Sequence, residues 1–375
     1  MNTPLESLCC TATNPYPSEA LKQQLMTKSA EVSDWDDLSE LVNTNRIGAL
    51  LYWHHKQGTI QLPKQHELTL LSGFLKNKKV ATVRDRWLTL LSAKFNEAGI
   101  DHAYLKGTAL CHIAYPSPYL RSMDDIDILI EQGRNDDVHK ILLGLGVLSK
   151  KPTTARELGC HQWPTAVVSF EGHSLVLEIH TRVLSRRIGG YGVMSQYLPT
   201  LVSFDVGGQT RWTLSHEDFI ITQLFRFKHL TEIFRLIDIA DLAGYLERYA
   251  DQMDWVGIYR RHAWIQHCLA AIDCVTPLSE KVKASTRMSN HLSGTEFDLN
   301  EHPYGGLPVN RYLKARGLQP KISFLKRLLT TIAPSHWWMT LVYGCNGSLV
   351  SWIRGYSINH PVSVLKQLYN AVRHK

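Results

Sequence analysis

The six-residue segment 125–130, with the sequence DIDILI, constrains this chain more than any other part of it. Acidic and branched apolar side chains alternate there with a period of two, which predicts a β-strand with one buried face. Residues two apart on a strand point to the same side, so Asp125 and Asp127 would lie about 7 Å apart at the backbone. Two unpaired carboxylates repel each other, and a divalent cation between them removes the repulsion. Mg²⁺ fits this place because it prefers carboxylate and phosphate oxygens.

Small and basic residues precede this strand. Gly107 and Thr108 have little or no side chain, which allows a backbone N–H to approach a phosphate closely. Lys106 and Arg121 would offset phosphate charge, and the Arg121 guanidinium can do so through two parallel hydrogen bonds. We therefore predict that these four residues bind the phosphates of a nucleotide.

A second acidic strand follows later in the chain. Residues 166–170 and 175–180 are rich in branched apolar side chains and flank the turn sequence Glu-Gly-His, which predicts a β-hairpin. Val176, Glu178 and His180 share one face of its second strand. Glu178 would therefore bring a third carboxylate to the predicted cation site from a different strand.

These acids are predicted to act together. Asp125, Asp127 and Glu178 are the predicted metal ligands and catalytic residues, and they would hold two Mg²⁺ ions around a phosphate group. His180 is predicted to lie on the side of the acceptor. Two alternatives stay open: Glu178 as an exposed residue paired with Arg182, and His180 as a structural residue at the end of its strand.

Helical spacing of apolar residues dominates residues 1–98, and no internal repeat is visible. The other predicted elements are, in chain order, a short strand at 102–105, helical turns at 108–114, a helix at 135–145, a hairpin at 202–213, and helices from Ser215 to about Tyr249 and again near Trp255.

Several of these segments resemble one known family. LKGTAL at 105–110 and LRSMDDIDILI at 120–130 look like the uncharacterised bacterial nucleotidyltransferase family within the DNA-polymerase-beta-like superfamily. LEIH at 177–180 is similar to the third acidic strand of that family. Three further segments are similar to the helical half of that family: 214–218, 235–238 and 253–255. The resemblance as a whole covers about residues 84–265.

The resemblance implies a fold class and a division of the chain. The fold is α+β, a minimal nucleotidyltransferase fold in which helices flank a mixed β-sheet, with additional N-terminal and C-terminal helical regions. The predicted divisions are an N-terminal helical region at 1–83, a nucleotidyltransferase core at 84–213, a helical domain at 214–275, and a linker with a basic C-terminal extension at 276–375.

The resemblance also implies an activity. A protein of this family would depend on Mg²⁺ and would transfer a nucleoside monophosphate from an NTP, such as ATP, to a hydroxyl or similar acceptor, with release of pyrophosphate. The acceptor could be a small molecule, a protein or an RNA end.

The net charge of +7 is unevenly distributed, since residues 302–375 contain ten Lys or Arg and no Asp or Glu. This basic, aromatic-rich segment predicts either an anionic partner, such as nucleic acid or a membrane surface, or a solvated cationic face on a helical extension. A second hypothesis is favoured by this basic segment and by the pair Gly107-Thr108. The superfamily usually has Gly-Gly or Gly-Ser at these two positions. In that hypothesis the protein is catalytically inactive and binds nucleotide or nucleic acid.

The cysteine content and the distribution of apolar residues indicate where in the cell the protein would be found. Seven scattered cysteines without a C-x-x-C pair predict neither a disulfide framework nor a zinc site, and they favour a reducing compartment. No secretory signal and no run of 18 apolar residues is visible. We therefore expect a cytoplasmic protein without a transmembrane segment.

Overall fold

The computed structural model describes residues 3–149, 151–152, 161–184, 192–229 and 235–288, together with the single positions 353, 356, 357 and 361. The predictions for the basic segment 302–375 therefore lie almost entirely outside the described residues.

A four-stranded mixed sheet forms the centre of the structure. Its strands are β1 (His102–Tyr104), β2 (Asp125–Ile130), β3 (Ala166–Phe170) and β4 (His173–His180), in the spatial order β1-β2-β4-β3. β2 and β4 run parallel, whereas β1 and β3 run antiparallel to their neighbours. The predicted strand at 125–130 and the predicted hairpin are both confirmed.

Helices surround this sheet, so the α+β class is confirmed. In the described residues they are α1 (Pro4–Thr11), α2 (Glu19–Glu31), α3 (Leu38–Asn45), α4 (Gly48–Lys56), α5 (Lys64–Glu97), α6 (Lys106–Ile113), α7 (Asn135–Gly144), α8 (Met194–Tyr197), α9 (His216–His229), α10 (Leu236–Tyr249), α11 (Trp255–Arg261), α12 (Ile265–Val275) and α13 (Glu280–Thr286). No helix in the described part of the chain combines the length and the apolar character that crossing a bilayer requires.

The long helix α5 packs on the sheet through an apolar stripe. Trp87, Leu91 and Phe95 are buried, as their helical spacing predicts. The Phe95 ring lies 5.2 Å, centroid to centroid, from the His102 ring on β1. The helix runs without interruption across the predicted boundary between residues 83 and 84.

The predicted hairpin at 202–213 is a separate unit of two strands, β5 (Val202–Val206) and β6 (Gln209–Thr213), and it turns at Gly207 and Gly208. Two of its side chains attach it to the core. The Thr213 hydroxyl donates to the Tyr104 carbonyl at 2.7 Å. The buried Arg211 guanidinium donates to the Tyr104 hydroxyl at 3.0 Å and to the Thr89 hydroxyl at 2.6 Å. These bonds join the hairpin to β1 and α5.

The helical half begins at Ser215, where the sequence predicts the start of a helix. The Ser215 hydroxyl accepts a hydrogen bond from the Asp218 backbone N–H at 3.2 Å, which satisfies one of the free donors at the start of α9. Helix α13 lies within the segment predicted as a linker, yet Val282 is fully buried. The Ser279 hydroxyl donates to the Glu247 carboxylate at 2.6 Å, so this short helix is anchored to α10.

Candidate functional site

Strand register places two carboxylates side by side. Asp127 on β2 is the partner of Glu178 on the parallel strand β4. The side chain of His180 lies on the same face of β4, two residues further on. One ligand atom from each of these three residues lies within 4.8 Å of the other two. Among the described residues, this is the group that could hold a metal ion.

A lysine ammonium lies in the middle of this group. Lys106 Nζ donates to Asp127 Oδ1 at 2.5 Å, and it lies 3.7 Å from Glu178 Oε2 and 3.5 Å from His180 Nε2. Lys106 is the first residue of α6, and its φ of +46° places its backbone in the left-handed region. The predicted phosphate-binding lysine therefore contacts the predicted metal ligands.

His180 is fully buried beneath the carboxylates. Its Nε2 lies 2.8 Å from Asp127 Oδ1 and 3.6 Å from Glu178 Oε2. An ionised carboxylate can only accept, so Nε2 carries the proton in this bond. His180 Nδ1 is buried and has no hydrogen-bond partner among the described residues. The structure thus places His180 against Asp127, and its position on the acceptor side stays a prediction.

The surrounding charges shift the pKa values of the carboxyl groups. Burial by itself would raise the pKa of Asp127, but the Lys106 ammonium and the His180 hydrogen bond hold it well below its usual range. The His180 hydrogen bond, followed by the Lys106 charge, also lowers the pKa of Glu178. Asp127 and Glu178 are therefore carboxylates at neutral pH and can serve as cation ligands.

Asp125 lies beside the cluster, on the same face of β2 as Asp127 and partly exposed. Burial, followed by the nearby charge of Asp127, raises the pKa of its carboxyl group. Asp125 is not among the residues that meet within 4.8 Å. It therefore lies at the edge of the group formed by Asp127, Glu178 and His180.

The predicted loop at Gly107 and Thr108 is instead the first turn of α6, which begins two residues earlier than predicted. The buried Thr108 hydroxyl accepts a hydrogen bond from the Asp127 backbone N–H at 2.8 Å. A Cβ atom at Gly107 would lie 2.2 Å from Arg121 Nη1. The structure therefore shows a packing role for both small residues, and phosphate binding through a backbone N–H at Gly107 and Thr108 stays a prediction.

Arg121 also has a different partner from the predicted one. Its Nε donates to Asp241 Oδ1 and its Nη2 to Asp241 Oδ2, each at 2.7 Å. The Tyr115 hydroxyl donates to the same carboxylate at 2.7 Å. Because the side chains of Arg121 and Asp241 are only 11% and 7% exposed, the guanidinium is committed to this pair. The structure shows this ion pair in place of a contact with the carboxylate cluster, and phosphate binding by Arg121 stays a prediction.

One residue of this site is missing from the sequence-based prediction. The ring of His161 lies 5.6 Å, centroid to centroid, from that of His180. Burial, followed by the positive charges of His180 and Lys106, lowers the pKa of His161 to about 4. His161 belongs to no motif and no regular strand. The backbone N–H groups of Thr181 and Arg182 donate to its carbonyl and hold it at the site.

The fold and the site together define an α+β protein with a candidate cation site on the two central strands of a mixed sheet. The chain belongs to the nucleotidyltransferase family described as "Uncharacterised nucleotidyltransferase", which matches residues 31–269, more than half of its length. No curated protein sequence matches the chain.

Two solved structures are also similar. One is the antibiotic-resistance factor ANT(2'')-Ia, with 13% identity, a TM-score of 0.35, and coverage of 52% of this chain and 96% of that one. The other is an antigenic nucleotidyltransferase-like protein from Paracoccidioides brasiliensis, with 15% identity, a TM-score of 0.31, and coverage of 54% and 97%. Scores this low carry no argument about the present chain.

Proposed function

We propose that this protein is an Mg²⁺-dependent nucleotidyltransferase. It would move a nucleoside monophosphate from an NTP to a hydroxyl or similar acceptor and release pyrophosphate. The observation that carries the proposal is the register of Asp127 against Glu178 on two parallel central strands, in a chain that belongs to a nucleotidyltransferase family.

The chemistry of the donors fits a hard divalent cation. Asp127 and Glu178 offer ionised oxygens, and Asp125 offers a further carboxyl group from the same strand face. The position of the Lys106 ammonium supports the same conclusion, because these oxygens already converge on one positive charge. Bound Mg²⁺ would neutralise phosphate charge and orient the reacting oxygens. Asp125, Asp127 and Glu178 would hold the ion. We also propose a second Mg²⁺ ion, which Asp125 would help to bind.

The protein side chains have separate tasks in this proposal. His180 and the Thr108 hydroxyl fix Asp127, the first through its carboxylate and the second through its backbone. The Asp127 carboxylate is therefore held in place before substrate binds, and such preorganisation is the condition for effective electrostatic stabilisation. Lys106 supplies the positive charge for the phosphates of the nucleotide.

The finer assignments are part of the same proposal. They are ATP or another NTP as the nucleotide donor, a cytoplasmic location, a bacterial origin, and a place in the DNA-polymerase-beta-like superfamily. They rest on the sequence motifs at 105–130 and on the cysteine pattern.

The test is transfer of radiolabel from α-³²P-labelled NTPs to a panel of small-molecule, protein and RNA acceptors. Asp127→Asn keeps the size of the side chain and removes a charge that holds the cation. We expect it to lower the rate at least about a hundredfold, equivalent to about 3 kcal/mol of transition-state stabilisation. Asp136→Asn is the matched control, since this aspartate lies on the surface at the start of α7. Equal product from wild type and Asp127→Asn would contradict the proposal.

The second candidate is a nucleotide-binding or nucleic-acid-binding protein without catalysis, favoured by the acid-free segment 302–375. Metal-dependent NTP binding without turnover on any acceptor would support it. Deletion of 302–375 would then abolish RNA binding, and binding by the full chain would fall steeply with salt concentration.

A further inference from the structure

The Lys106 ammonium contacts the same side-chain oxygens that the proposed cation would need. It lies 2.5 Å from Asp127 Oδ1 and 3.7 Å from Glu178 Oε2. The side chains of Asp127 and Glu178 are 2% and 18% exposed, and both carboxylates also lie near His180 Nε2, at 2.8 Å and 3.6 Å. The ammonium therefore stands where a cation bound to these two oxygens would lie.

The Lys106 side chain can nevertheless move its ammonium away from the two carboxylates. The side chain of Lys106 is 19% exposed, and its four-carbon stem rotates freely compared with a guanidinium fork. The left-handed backbone at residue 106 fixes where the stem begins, at the first turn of α6, but not where it ends. The ammonium can leave the carboxylates for a nearby anion while the backbone stays in place.

We propose that Lys106 and the divalent cation compete for Asp127 and Glu178, and that the phosphates of the NTP resolve the competition by taking the ammonium. This inference rests on the proposed function. The metal ion alone binds weakly, because it must displace Lys106 without giving the ammonium a new partner. When NTP is present, its phosphates supply that partner, so metal and nucleotide bind cooperatively. By linkage, each ligand raises the affinity of the other by the same factor.

The test is calorimetric titration of the full chain with Mn²⁺, without nucleotide and with a non-hydrolysable NTP analogue. Without nucleotide, we expect Lys106→Met to bind Mn²⁺ about tenfold more tightly than wild type, because the competing charge is gone. The analogue should raise the Mn²⁺ affinity of wild type strongly and that of Lys106→Met far less. Lys94→Met, on the exposed end of α5, is the control and should match wild type.

Two further variants make the result decisive. Lys106→Gln repeats the test if the methionine variant does not fold, and Lys106→Arg keeps the charge and should stay close to wild type. Equal or weaker Mn²⁺ binding by the neutral variants, with binding abolished in Asp127→Asn, would overturn this inference and leave the proposed function standing. Absence of Mn²⁺ binding from wild type and all variants, with or without nucleotide, would overturn both.

Discussion

The Arg121 guanidinium and the Asp241 carboxylate form a two-point ion pair, with two N–O distances of 2.7 Å. Arg121 precedes β2 by a few residues, and Asp241 lies in the middle of α10. The pair therefore joins the strand that carries the candidate metal ligands to the helical half of the structure. It also fills the space beside Gly107, so the start of α6 depends on it.

Loss of the Asp241 charge should destabilise the fold strongly. Asp241→Ala would leave the Arg121 guanidinium buried without a partner, at a cost of about 3–5 kcal/mol. Urea denaturation measures the free energy of unfolding. Asp251→Ala is the control, because Asp251 pairs with Lys281 at the surface, and such a pair contributes at most about 1 kcal/mol. Similar losses in the two variants would contradict this account of the Arg121–Asp241 pair.

A methyl group at Gly107 should also be costly. In Gly107→Ala the new Cβ would lie 2.2 Å from Arg121 Nη1, and the arginine cannot withdraw without breaking its ion pair. Overpacking of this kind costs about 1–3 kcal/mol. Gly73→Ala in the exposed part of α5 meets no atom within 4 Å and should stabilise the protein by up to about 1 kcal/mol. Thermal denaturation of both variants distinguishes the two effects by their opposite signs.

The hydroxyl of Thr108 should matter more than its methyl group. Thr108→Val removes the acceptor for the buried Asp127 N–H, which costs about 1–3 kcal/mol of stability. Thr108→Ser retains the hydroxyl and should cost less. Chemical denaturation of both variants gives the comparison. If valine is tolerated as well as serine, the hydrogen bond does not hold β2 in place.

The strands were predictable from the sequence because their signal is local. DIDILI and the hairpin at 166–180 each show their buried face through alternation, and the structure places strands at both. The register of Asp127 against Glu178 is set by a crossover of about fifty residues, so no local pattern encodes it. The ion pair of Arg121 was not predictable for the same reason, because its partner Asp241 lies 120 residues away in sequence.

The position of Lys106 illustrates a second limit. The sequence predicts that Lys106 lies near acidic side chains. Its positive charge alone would allow it to contact either a phosphate or those carboxylates. Which contact forms depends on the left-handed backbone at residue 106 and on the fit of α6 against β2. Both are properties of the packed structure. His161 escaped prediction because backbone bonds to the two residues after β4 hold it at the site, and such bonds leave no pattern of residue types.

A buried histidine away from the site should make stability depend on pH. His54 on α4 is fully buried, and burial lowers its pKa to about 4 from an ordinary value of 6.5. Between these two values the unfolded chain binds a proton that the folded protein does not. The free energy of unfolding therefore falls as the pH decreases from 6.5 to 4, by up to about 3 kcal/mol from this group.

His54→Asn should remove this contribution and keep a hydrogen-bond donor toward the Thr59 hydroxyl, which lies 3.2 Å from His54 Nδ1. Urea denaturation of both proteins at pH 7.5, 5.5 and 4.5 gives the comparison. We expect the stability advantage of wild type over the variant to shrink by about 2–3 kcal/mol from pH 7.5 to 4.5. An advantage that is the same at all three pH values would show that the folded protein accepts the proton on His54 as readily as the unfolded chain does.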